Sequence, residues 1–145
     1  MSRNQKDATF DYSLRLKDAG LVAATAAAQV GGVDKILDVG AERVDGRVVI
    51  DISAIETGTG DEDYRIFVQG SSSSTFASGV FNLGCLSVGD SSTCFETVDS
   101  VAGRREIAFT NEVSGTVYQY LRVYTFVAGT IATGINFTAN LVLKA

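Results

Sequence analysis

The sequence predicts an all-β chain, an antiparallel sandwich or barrel of about eight strands, on three observations. Apolar residues alternate with polar ones through most of its 145 positions; the 15 Gly residues, with no Pro, punctuate the runs; and no stretch carries a long helical period. Alternation with a period of two is the mark of a strand with one buried and one solvated face. Short strands at regular spacing, joined by turn residues, pair as antiparallel sheets.

Taken in order, FDYSLRL (10–16) sets Phe10, Tyr12, Leu14 and Leu16 on one face and Asp11, Ser13 and Arg15 on the other. ILDV (36–39) is a shorter candidate. RVVIDISAI (47–55) sets Val48, Ile50, Ile52 and Ala54 together. YRIFVQ (64–69), GVFNLGCLSV (79–88), REIAFT (105–110) and YQYLRVYTFV (118–127) follow the same rule. INFTANLVL (135–143) places Ile135, Phe137, Ala139, Leu141 and Leu143 on one side of the pleat. Turn chemistry separates them at VDGR (44–47), the acidic stretch 58–63, VSGT (113–116) and VAGT (127–130), where Gly and Asp supply positive φ or side-chain-to-backbone bonds. DAGLVAATAAAQVGG (18–32) leaves two readings open. Ala favours a helix with Asp18 as cap and Gly31 as stop, whereas Gly20, Val22, Thr25, Val30 and the lack of a charged face oppose it. No linker or internal repeat divides the chain, so residues 10–145 read as one β-sandwich domain behind a short arm, residues 1–9.

Composition narrows the chemistry. A net charge of −5 with pI near 4.6, and no Lys/Arg cluster, argue against nucleic acid as a partner. The polar N-terminus, MSRNQKDATF, is neither a signal peptide nor an anchor, and LVAATAAAQV is about half of the roughly 20 residues that a membrane span needs, so no membrane association is expected. With no His, neither a Ser-His-Asp nor a Cys-His arrangement can be assembled within the chain. Cys85 and Cys94, the only cysteines, lack the partners for a structural zinc site. Cys85 reads as a small core residue, and both read as free thiols. The acidic triplet Asp61, Glu62 and Asp63 has part of the spacing of a calcium loop but no third ligand or terminal Glu, and reads as the solvated end of a hairpin. SSSSTFASG (71–79) holds no nucleophile elbow and reads as a surface loop. No catalytic residue, metal site or cofactor is therefore assigned.

Tyr118, Tyr120, Arg122 and Tyr124 fall on one face of a strand. Tyr and Arg are favoured at protein interfaces, and this row reads as a contact surface. A sugar-binding sandwich is the rival reading, weakened by the absence of Trp.

Two stretches, LKDAGLVAATAAAQVGGVDKILDVG (16–40) and YQYLRVYTFVAGTIATGINFTANLVL (118–143), together with VVIDISAIE (48–56) and FTNEVSGTVYQY (109–120), resemble the tailed-bacteriophage capsid cement (decoration) proteins of the Bbp16-like type. The shared features are strand patterns and cover about half the chain. The resemblance implies a jelly-roll sandwich on the outer surface of an icosahedral head, made in the bacterial host cytoplasm, bridging neighbouring major capsid proteins and stabilising the shell. It implies an extended 18–32 segment and carries over no catalytic residue. The expected partners are the major capsid protein and the chain itself, as a homodimer or alternatively a trimer. The arm, with Arg3 and Lys6, is expected to be mobile until it meets a partner. The alternative is a carbohydrate- or receptor-binding sandwich of a phage tail or appendage.

Overall fold

The computed structural model describes residues 11–143. The expected arm, residues 1–9 with Arg3 and Lys6, lies outside them, as does Phe10. A 3-10 turn (Tyr12–Leu14) leads into β1 (Arg15–Lys17) and β2 (Leu21–Val22), followed by β3 (Ala26–Ala27), the small hairpin β4 (Gln29–Val30) and β5 (Val33–Asp34), and β6 (Leu37–Asp38). The long strands β7 (Asp45–Ile55), β8 (Asp63–Ser71), β9 (Phe81–Gly89) and β10 (Gly103–Thr110) come next. A second small hairpin, β11 (Glu112–Val113) and β12 (Thr116–Val117), precedes β13 (Tyr120–Ala128) and β14 (Ile135–Leu143).

Every strand pairing is antiparallel, and the long strands form two sheets. The first runs β1–β14–β7–β10, with β2 continuing the edge along β14. The second runs β3–β13–β8–β9, with β6 extending the same edge of β13. The inner faces meet in one core. Val48, Ile50 and Ile52, with Ile135, Phe137, Ala139 and Leu141, come from the first sheet; Tyr64, Ile66, Val68, Leu121 and Val123 come from the second. The period-two reading of these strands is the reason they face each other, since each i, i+2 set leaves the pleat on one side.

Several expectations need correction. The run 10–16 is not one strand. The Asp11 carboxylate accepts from the Ser13 N–H and hydroxyl, and Leu14 N–H bonds to Asp11 O, so local capping bends Tyr12–Leu14 into a turn and exposes Tyr12. Ala54 does not share the face of Ile52. The register of β7 on β14 slips between Ile52 and Ala54, and Ile55 takes the inward position instead. Residues 45–47 are strand rather than turn. Gly46 lies where a Cβ would meet Val142 O at 2.7 Å, so the glycine serves close strand packing.

Residues 18–32 hold no helix. Ala28 N–H bonds to Val123 O, Asp18 N–H to Gln29 O, and the Asp18 carboxylate takes the Gly31 N–H. The Ala-rich segment therefore works as a broken edge, its small side chains lining a cavity of about 460 Å³ beside Lys17 and Thr125. Lys17 is itself buried. Its ammonium donates to the carbonyls of Asp18, Gly20 and Phe137 at 3.0, 3.0 and 2.9 Å and sits 4.4 Å from the Phe137 ring centroid. Burial pulls its pKa down to about 8, against the opposing pull of Asp18.

Candidate functional site: the outer face of the second sheet

Along β13, Leu121, Val123 and Thr125 point inward, which leaves Tyr120, Arg122 and Tyr124 half-buried on the outer face. Cross-strand register sets Tyr124 opposite Phe67 and Arg122 opposite Gln69, and on the next strand Phe67 opposite Cys85 and Gln69 opposite Asn82. Arg122 is held on every side. Nε donates to Gln69 Oε1 at 2.8 Å, and the guanidinium lies 4.4 Å from the Phe76 ring centroid and 5.0 Å from that of Tyr124. Gln69 Nε2 in turn donates to Asn82 Oδ1 at 2.9 Å. A planar cation between two rings is stabilised by their quadrupoles. Burial lowers the pKa of Arg122, yet a guanidinium remains charged throughout the ordinary pH range. Phe76 reaches it from the Ser-rich loop with φ of 55°, a backbone conformation unfavourable for an aromatic residue. The loop read as plain surface thus supplies one wall of the Arg122 clamp.

Tyr118 leaves the expected row. It precedes the strand, its N–H bonds to Asn111 O, and its ring stacks on Phe81 with centroids 5.7 Å apart and 9° between planes. Gly70 lies in phase with the inward Ile66 and Val68, and a Cβ there would meet Tyr118 Cβ at 2.8 Å. Tyr118 therefore covers the end of the core rather than the outer face. What joins Tyr120, Arg122 and Tyr124 instead is Phe67, together with exposed Phe126, which has Arg65 at 6.0 Å from its ring centroid. Alternation in YRIFVQ was the available signal for Phe67.

Cys85 is exposed rather than in the core. Gly84 takes the inward position, where a Cβ would meet Ile107 Cγ2 at 2.6 Å, so its neighbour turns outward. Both cysteines are free thiols.

The acidic stretch 58–63 is not a hairpin end, because β7 and β8 belong to different sheets and these residues carry the chain across. Nor is it wholly solvated. Glu62 is buried and accepts from Thr59 N–H, Thr59 hydroxyl, Gly60 N–H and Asp61 N–H at 2.8, 2.7, 3.0 and 3.2 Å. Burial works to raise its pKa, but these donors outweigh it and hold the carboxyl at about 2. Asp61 turns the other way, accepting from the Thr130 N–H and hydroxyl, while Asp63 pairs with Arg65 at 3.3 Å. Three adjacent carboxylates thus serve three separate structural tasks. Glu56 repeats the device, accepting the N–H groups of Ala132, Thr133 and Gly134. Among the described residues, no three His, Cys, Asp or Glu side chains are grouped as metal ligands.

Fold and face together define an antiparallel all-β domain that carries an aromatic platform with a clamped guanidinium on one sheet. No protein-family model matches the chain, and no curated protein matches it.

Proposed function

We propose that this chain is a structural virion protein, a capsid cement protein that binds the outside of an icosahedral phage head and bridges major capsid proteins. The observation that carries the reading is the outer face of the second sheet, where Tyr120, Tyr124, Phe67 and Phe126 share the face of an Arg122 already fixed by Gln69, Phe76 and Tyr124. Aromatic rings on rigid strands, with a guanidinium immobilised in advance, suit protein contact because little side-chain freedom is left to lose on docking. The carboxylates that would be candidates for chemistry are occupied by backbone donors of their own chain.

In the same reading the fold is a jelly roll. With the two small hairpins set aside, merging the broken edges leaves eight strands in chain order, arranged 1-8-3-6 in one sheet and 2-7-4-5 in the other, which is the order two nested Greek keys produce. A protein that binds only the assembled lattice stabilises it by mass action, and repetition over many copies adds avidity. Self-association, as a dimer or trimer, is part of this proposal.

A glycan- or receptor-binding role draws on the same rings beside the amides of Gln69 and Asn82. The copy number of the polypeptide relative to the major capsid protein in purified virions separates the two. A simple lattice ratio supports cement; a handful of copies points to a tail or appendage, where a glycan array then identifies the ligand; absence from the particle sinks both virion readings.

A further inference from the structure

The connection between β9 and β10, residues 90–102, is built inside out. Buried Asp90 and Ser100 and half-buried Glu96 turn inward, and together with exposed Asp99 they fix the backbone. The Asp90 carboxylate accepts from the Ser92 N–H and hydroxyl at 2.9 and 2.8 Å, and Asp99 accepts the Ser91 N–H at 2.9 Å. Buried Ser100 donates its hydroxyl to Glu96 at 2.7 Å and accepts the Gly89 N–H at 3.0 Å, while Arg105 Nε holds the other Glu96 oxygen at 3.0 Å. The Thr93 hydroxyl ties the loop to Glu62 O. The apolar side chains turn outward instead: Phe95, Val98 and Val101 are 88%, 68% and 67% exposed. A loop that serves only as a solvated connection has no use for three large apolar side chains in water. Backbone order maintained from within also removes much of the entropy cost of docking.

We propose that this loop is a docking tip that seats Phe95, flanked by Val98 and Val101, in an apolar pocket rimmed by Lys or Arg on a different protein. Charge argues against a second copy as the occupant. The loop carries no Lys or Arg of its own; Arg105 at its foot neutralises Glu96, while exposed Asp99, and Asp90 with the Glu62 charge acting on it, leave the tip acidic. Tip-to-tip contact would gather like charges, whereas a basic rim complements them. The proposal rests on the loop alone and does not depend on the capsid reading.

The test places p-benzoylphenylalanine at position 95 of the full chain in the cells that make it, irradiates, and identifies the linked peptide by mass spectrometry. Exposed Val33, on the β4–β5 hairpin, is the control position. The expected result is adducts from position 95, not from position 33, to one protein other than this chain, on an apolar peptide flanked by Lys or Arg. Their yield should fall about threefold or more between roughly 50 and 500 mM NaCl, and wild-type protein should compete where Phe95→Ser does not. Adducts to this chain alone, no adduct, or the same adducts from both positions overturn the proposal. Sedimentation velocity supplies a second readout: wild type and the triple variant Phe95→Ser, Val98→Ser, Val101→Ser should sediment alike, and an oligomer lost only in the variant would assign the tip to self-contact and overturn it. An adduct with a protein outside the virion shell upholds the tip and sinks the cement reading. A lattice copy number with no position-95 adduct does the reverse.

Discussion

Arg122 and Gln69 stand opposite each other on adjacent strands, and the guanidinium Nε donates to the amide oxygen across 2.8 Å. The bond joins the β13 platform to Asn82 on β9 and to the Ser-rich loop through Phe76. Arg122→Met should destabilise the fold by about 1–3 kcal/mol and loosen residues 71–80, seen as faster amide exchange there. Tyr124→Ala should cost about 1 kcal/mol or less of stability yet reduce incorporation into particles. Equal stability losses from the two variants would place Tyr124 in the fold rather than at the contact.

Glu62 gives the domain an acid limit. Its carboxyl is held at about 2, below its ordinary value near 4.5, so its stabilising contribution is complete above the ordinary value and is lost as pH falls from there through about 2. Glu62→Gln should lower stability by about 1–3 kcal/mol at neutral pH and flatten the dependence between roughly pH 5 and 2. Urea midpoints at pH 7, 4 and 3 for both proteins check this. Calcium titration should give no stoichiometric heat; a heat abolished in an Asp61→Ala, Asp63→Ala double variant would show a cation site in place of the backbone cap.

Lys17 acts in the opposite pH range. Its pKa, about 8, lies below the ordinary 10.5, so the unfolded chain binds more protons between those values and the group makes stability rise with pH there. Above pH 10 buried Tyr64, whose pKa is raised chiefly by burial, makes stability fall again. Lys17→Met orphans three carbonyl acceptors and should cost about 1–3 kcal/mol at pH 7, with a shallower rise from pH 8 to 10 in thermal melts.

Gly84 is expected to be intolerant of a side chain. Alanine would place Cβ 2.6 Å from Ile107 Cγ2, where β9 and β10 meet in the core. Gly84→Ala should cost about 1–3 kcal/mol through overpacking, and Ile107→Leu in the same chain, which has no Cγ2 at the clash, should recover part of it. A thermal shift below 1 °C would show that the β9–β10 corner relaxes freely.

Long strands were legible in the sequence because their alternation reports a local fact, which side of a pleat is buried. Val48, Ile50, Tyr64, Ile66, Phe137 and Leu141 all lie where alternation put them. What escaped was decided by contacts that alternation does not report. The inward turn of Tyr118 depends on Gly70 and Phe81, the outward turn of Cys85 on Ile107, and the burial of Glu62 on a crossing between sheets that no hydrophobic period encodes. Of the expected contact row, Tyr120, Arg122 and Tyr124 share the outer face, while Phe67 and Phe76 were missing from it. The apolar tip at Phe95, Val98 and Val101 carried no strand signal, because apolar residues at every third position in FETVDSV do not alternate.

The place of β14 has a consequence for biosynthesis. It lies between β1 and β7, so residues 15–17 pair with residues 139–140, and Phe137 and Ile135 complete the core from the far end of the chain. During translation the first sheet lacks the strand that joins β1 to β7 until residues 135–143 have emerged, and that edge of β7 stays unpaired until then. The domain therefore cannot close progressively behind the ribosome. Its partly made form exposes apolar strand edges to chaperones and to other nascent chains, and a premature stop between Ala128 and Ile135 leaves β1 without its partner strand and β7 with an open edge beside a complete second sheet.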